Sequence, residues 1–139
     1  MKKVAVLLAP GFEEAEAIVT LDILRRLHID VETLACAESR AVVSYHDIPM
    51  VADSTLSERQ QALFDALVLL KGRRYVCSGD LWKAVPEGVY VDAPVVEDGN
   101  LISGKGLGHV FDFALTLSAR LLGDDAPVRE QAEHIYYPW

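Results

Sequence analysis

Two cysteines, no apolar run near the ~18 residues of a membrane span, and no basic cluster longer than a pair mark what this 139-residue sequence has little of. Cys36 and Cys77 have neither CxxC spacing nor a nearby histidine pair, which argues against a zinc site and against a disulfide framework. The basic pairs Arg25–Arg26 and Arg73–Arg74 are too short for a phosphate-binding patch. A formal charge of −8 and a pI near 4.9 also argue against a nucleic-acid partner. The opening MKKVAVLLAPGFEE briefly resembles a secretory leader, but its apolar run stops at Pro10 and turns acidic. These readings lead to the expectation of a soluble, reducing, cytoplasmic setting with no membrane partner.

What is present is enough apolar content, 51%, to build the core of one domain spanning residues 1–139. KVAVLL at residues 3–8 is a continuous β-branched run suited to a strand buried on both faces of a parallel sheet. Pro10–Gly11 ends it. Residues 13–27 then place Ala17, Ile18, Leu21, Leu24 and Leu27 at helical spacing, with acids early and Arg25 and Arg26 late. A second strand is expected over 31–36, giving a β-α-β opening with a right-handed crossover. Residues 41–52 alternate around His46–Asp47, as a hairpin or edge excursion would. A short helix is predicted from Ser57 through Gln61, then a buried strand at 66–70, a turn at KGRR, and short strands at 75–77 and 89–91. Val95–Val96 and Leu101–Ile102 flank Glu97-Asp98-Gly99-Asn100, a hairpin with strong turn chemistry. A helix over 109–122 closes at Gly123, and a last one runs from Pro127 to about Ile135. The apolar ending Tyr136-Tyr137-Pro138-Trp139 is expected to dock on the body or on a partner subunit.

The stretch LLAPGFEEAEAI, residues 7–18, holds the main candidate. Acids in a first helical turn complement the helix dipole, which accounts for Glu13 and Glu14. Glu16 lies at the carboxyl end of a parallel strand, where open α/β sheets place their ligands. GNLISGKG, residues 99–106, nearly matches a phosphate loop, but Gly106 stands where the Mg²⁺-holding hydroxyl belongs. Gly104, Gly106 and Gly108 instead read as a close-approach turn feeding the helix at His109, with backbone N–H groups that could hold an anion. Cys77 would be an activated thiol only with a nearby cation or helix N-terminus, for which Arg73, Arg74 and a helix start at Asp80 are candidates. Cys36 is expected in the core. Among the histidines only His109 lies near a plausible pocket.

VAVLLAPGFEEAEAIVTLDILRRLHIDVETLA resembles the opening of the DJ-1/PfpI (ThiJ-like) family, and VVEDGNLISGKGLGHVFDFALTLSARLLG resembles that family's hairpin, glycine turn and C-terminal helix. The resemblance implies a flavodoxin-like α/β fold, a mostly parallel sheet flanked by helices. It also implies a homodimer, no cofactor and no metal, and cysteine-dependent chemistry on small reactive aldehydes, glyoxalase-like or stress-protective. The glutamate matching Glu16 is, in that family, commonly protonated and hydrogen-bonded to a reactive cysteine thiolate on a sharp strand-to-helix turn. That turn is missing here. DALVLL runs directly into KGRRYVC, leaving a gap of ~50 residues, somewhat more than one βαβ unit. Cys36 matches a strand position, and Cys77 lies beyond the missing turn, with Ser78 beside it. The chain is therefore expected to be inactive as written, with a non-enzymatic chaperone-like, sensing or dimeric binding role as the alternative. An anion-binding module at residues 104–108 is a third reading.

Overall fold

The computed structural model describes residues 3–59, 72–84 and 87–139. It divides into two compact units, residues 1–65 and 66–139. The strand expected at 66–70 lies outside the described residues, as does Gln61.

In the first unit, β1 (Lys3–Leu8) leads into α1 (Glu14–Arg26) and then β2 (Asp30–Ala35). β1 and β2 pair in parallel, from Lys3 opposite Asp30 to Leu8 opposite Ala35. A hairpin of β3 (Ala41–Val43) and β4 (Pro49–Val51) follows, as the alternation around His46–Asp47 predicts. β5 (Ser54–Thr55) adds a third parallel strand beside β2. It is too short to announce itself in the sequence. Ser57–Arg59 forms a 3-10 turn.

Two polar links hold β5 in place. Asp53 Oδ2 accepts from the Thr33 N–H at 2.8 Å and from its hydroxyl at 2.7 Å, while the Asp53 N–H donates to Thr33 Oγ1 at 2.9 Å. The buried Glu32 carboxylate takes Ser54 Oγ at 2.9 Å and the Arg59 guanidinium at 2.6 Å, so its charge is paired on leaving water.

The buried face of α1 differs from the expected one. Thr20, Leu21, Ile23 and Leu24 are buried, whereas Ile18 is 48% exposed. Positions 20, 23 and 24 form one helical stripe. Ile18 instead lines a groove with Met50, Val51 and Leu21, about 300 Å³ in volume. Leu8, Ala35, Val42 and Ala52 form a core cluster with Val6, Phe12, Ala17 and Met50 packed against it. Cys36 is half-buried just past the end of β2, its N–H on Leu8 O, and so is not the core residue expected from a strand position.

In the second unit, β6 (Arg74–Tyr75) and β7 (Val89–Tyr90) pair in parallel. β8 (Val95–Asp98) and β9 (Leu101–Gly104) form an antiparallel hairpin through Gly99, whose φ of 59° is left-handed. α2 (Val110–Leu122) follows a 3-10 turn at Leu107–His109, buries Val110, Ala114, Leu115, Ser118 and Ala119, and ends on Gly123 at φ 71°. α3 spans Ala126–His134 with Pro127 in its first turn. The chain's end docks within this unit, with Tyr137 stacked on Phe111 at 5.1 Å and Trp139 against Arg129 at 5.3 Å.

Candidate functional site

The first turn of α1 is built on a carboxylate. Glu13 is the N-cap, and its Oε2 accepts the Glu16 N–H at 2.7 Å. This satisfies one of the donors that a helix start leaves unpaired. The same turn carries Glu16 just beyond the carboxyl end of β1. Burial raises the Glu16 carboxyl above its ordinary value, and the charge of Glu13 pushes it further in the same direction.

Glu14 does more than complement the helix dipole. Its side chain is 15% exposed, and its Oε1 lies 2.6 Å from His46 Nδ1 in the turn between β3 and β4. Burial acts to raise this carboxyl. Hydrogen bonds from its backbone, Ser44 and His46, together with the His46 charge, outweigh that and leave it below the usual carboxylate range. His46 therefore belongs to the site, contrary to the expectation that only His109 would lie near a pocket. Its one signal in the sequence is its place at the hairpin turn. Nothing local announces a partner 32 residues away.

Glu13, Glu14 and His46 bring donor atoms within 4.8 Å of one another, the grouping among the described residues that could be tried for a cation. Glu13 Oε2 is committed to the cap and Glu14 Oε1 to His46. The trio reads as an ion-pair network.

The other sequence candidates fall in the second unit. Cys77 is a free, half-buried thiol just past β6. Of the two cations offered for it, Arg73 is engaged elsewhere. Arg73 Nε donates to Asp98 Oδ2 at 3.2 Å, and its terminal nitrogen bonds Asp98 O and Asn100 Oδ1. The Arg74 backbone N–H also donates to Asp98 Oδ2, which leaves its guanidinium out of that bond. Beyond Asp80 the chain makes a 3-10 turn, Leu81–Ala84, instead of an α-helix whose N-terminus could activate a thiol. In the glycine turn, Gly106 takes φ 130°, and Gly108 lies within the 3-10 turn. His109 Nδ1 lies 3.3 Å from Asp112 Oδ2. Burial and a hydrogen bond to Asp112 both raise the Tyr137 hydroxyl. A carboxylate in the first turn of α2 opposes anion binding there, and Lys105 is paired with Asp92. No described helix is long and apolar enough to cross a membrane.

The DJ-1/PfpI family model matches residues 2–77. Protein dj-1beta of Drosophila melanogaster is 29% identical over 171 aligned positions, covering 89% of this chain and 91% of that protein. The Parkinson disease protein 7 homolog of Danio rerio is 24% identical, covering 94% and 95%. Among solved structures, a cysteine-to-alanine mutant of a DJ-1 superfamily protein from Salmonella typhimurium is similar at 74% identity and a TM-score of 0.95, with both chains fully covered. Drosophila melanogaster DJ-1beta follows at 25% identity and a TM-score of 0.91, with 99% of each chain covered. The parallel pairing of β1, β2 and β5, the helices and these neighbours agree with the α/β, flavodoxin-like fold expected from the sequence. The chain, with Glu16 at the start of its first helix, belongs to the DJ-1/PfpI family.

Proposed function

We propose that this is a stress-protective DJ-1-like protein organised around Glu16, and that the chain as written does not turn over α-oxoaldehydes because it lacks the strand-to-helix turn that carries the family's nucleophile. The observation that carries the reading is the Glu16 carboxyl, half-buried at the carboxyl end of β1 with its proton affinity raised. A carboxyl tuned upward is suited to hydrogen-bond a thiolate and hand on a proton. In the complete chemistry, the thiolate adds to the aldehyde carbon and forms a C–S bond. The carbonyl π pair moves to oxygen, which takes the Glu16 proton. No cofactor enters that step.

The length of one alignment supports the absent segment. The 171-position alignment to the Drosophila melanogaster relative exceeds the 139 residues available, so it must place gaps opposite part of that relative. Cys77 is a poor substitute nucleophile, because Arg73 is paired with Asp98. A cytoplasmic setting fits the two free cysteines.

A second reading is a non-enzymatic homodimeric binding or sensing protein. Exposed apolar side chains of the first unit favour it, notably Val51 at 78%, Tyr45 at 72% and Leu7 at 54%.

Methylglyoxal turnover by protein of verified 15.3 kDa intact mass tests the proposal. No turnover, unchanged by Cys77→Ser, is expected. Turnover abolished by Cys77→Ser would overturn it and make Cys77 the nucleophile. A mass several kilodaltons higher would restore the enzyme reading with Glu16 at its centre.

A further inference from the structure

The β3–β4 hairpin is tied at two points to the loop before α1 and at a third to the first residue of α1. The Gly11 N–H donates to Val43 O at 2.8 Å, and the Tyr45 N–H to Phe12 O at 2.9 Å. The third tie is the 2.6 Å pair between His46 Nδ1 and Glu14 Oε1. Glu14 opens α1 and Glu16 follows on the same turn, so whatever holds Glu14 fixes where that turn sits. His46 is presented by a tight turn in which Ser44 Oγ accepts the Ile48 N–H at 3.1 Å. The groups facing its imidazole are Glu14 and the N-cap Glu13 and, from its own turn, the Tyr45 ring, nearly perpendicular with its centre 5.0 Å away.

We propose that His46 is a positioning residue for Glu16: by pairing with Glu14 across the hairpin it clamps the first turn of α1 and holds the Glu16 carboxyl in its half-buried place. This deepens the reading of Glu16 given above. A carboxylate largely removed from water needs a charged partner of good geometry. Within hydrogen-bonding reach of Glu14 Oε1, His46 supplies it.

The test uses the full chain with His46→Gln, His46→Arg and Glu14→Gln, read by amide hydrogen exchange and by carboxyl NMR titration. In His46→Gln, exchange at the Gly11, Tyr45 and Glu16 amides should quicken about fivefold, while the β1–β2 ladder stays protected. The Glu16 midpoint should fall toward the ordinary 4.5 as water reaches it. Loss of a neighbouring positive charge alone would move that midpoint upward, so the sign separates positioning from simple electrostatics. His46→Arg, with a permanent cation, should restore both readouts. Glu14→Gln should reproduce the quicker exchange, and combining it with His46→Gln should add little. Unchanged exchange at Glu16 in either single variant, a rising midpoint in His46→Gln, or no restoration by arginine would overturn the proposal. If His46→Gln does not fold, the Glu14→Gln and His46→Arg arms decide it. None of these readouts depends on turnover, so either outcome of the methylglyoxal test leaves them intact.

Discussion

Glu13 Oε2 accepts the backbone N–H of Glu16 at 2.7 Å, so the residue that starts the helix also places a second carboxyl beside the candidate acid. One bond thereby serves helix initiation and the tuning of Glu16.

The pH dependence of stability should carry the mark of Glu16. Its folded-state value lies above 4.5, so its contribution is fully present below that value and is lost as pH rises through the folded value. Glu16→Gln cannot ionise and escapes that loss. The variant should melt higher than the parent at about pH 7 and at the same temperature at about pH 4. A variant that melts lower at neutral pH would contradict this.

Replacing Glu13 separates its two roles. Glu13→Ala removes the cap and should cost about 1 kcal/mol in urea unfolding. Glu13→Ser retains a capping oxygen and should cost only a few tenths. In both variants the Glu16 titration should shift toward the ordinary range, because the neighbouring charge is gone.

The Thr33–Asp53 exchange should stabilise β5 against acid. The Thr33 N–H and hydroxyl hold the Asp53 carboxyl below its ordinary 3.8, so this stability is present above that value and lost as pH falls through the folded value. Asp53→Ala should cost about 1 kcal/mol at neutral pH, a modest figure because the side chain is 50% exposed. The difference from the parent should shrink in acid. Urea titrations at two pH values would check it.

Gly104 is required for space rather than for backbone freedom. A Cβ there would lie 3.1 Å from Phe113 Cβ and 3.2 Å from its ring carbons. Gly104→Ala should destabilise by about 1–3 kcal/mol, and Phe113→Leu in the same chain should relieve part of that. Additive losses in chemical denaturation would show that the two positions are uncoupled.

Association should depend on the exposed apolar edge of the first unit. Sedimentation equilibrium is expected to give twice the 15.3 kDa chain mass for the parent and a monomer for Val51→Asp. A monomeric parent would remove the dimeric reading.

By itself the sequence determined the elements whose cause is local. KVAVLL gave a strand and Pro10–Gly11 its end. The early acids and late arginines bounded α1, Gly99 set a hairpin, and Gly123 closed α2 in the left-handed conformation. The family motif also marked Glu16. Tertiary structure alone decided which face of α1 is buried, trading Ile18 for Ile23. It also decided that two residues at 54–55 pair with β2, that Arg73 answers Asp98 rather than Cys77, and that His46 meets Glu14. Each of these joins residues 20 to 32 positions apart. Periodicity and capping report only the chain's nearest neighbours. Partners at such distances are chosen by burial and by the need of each buried polar group for a complement, and that choice exists only once the chain has folded.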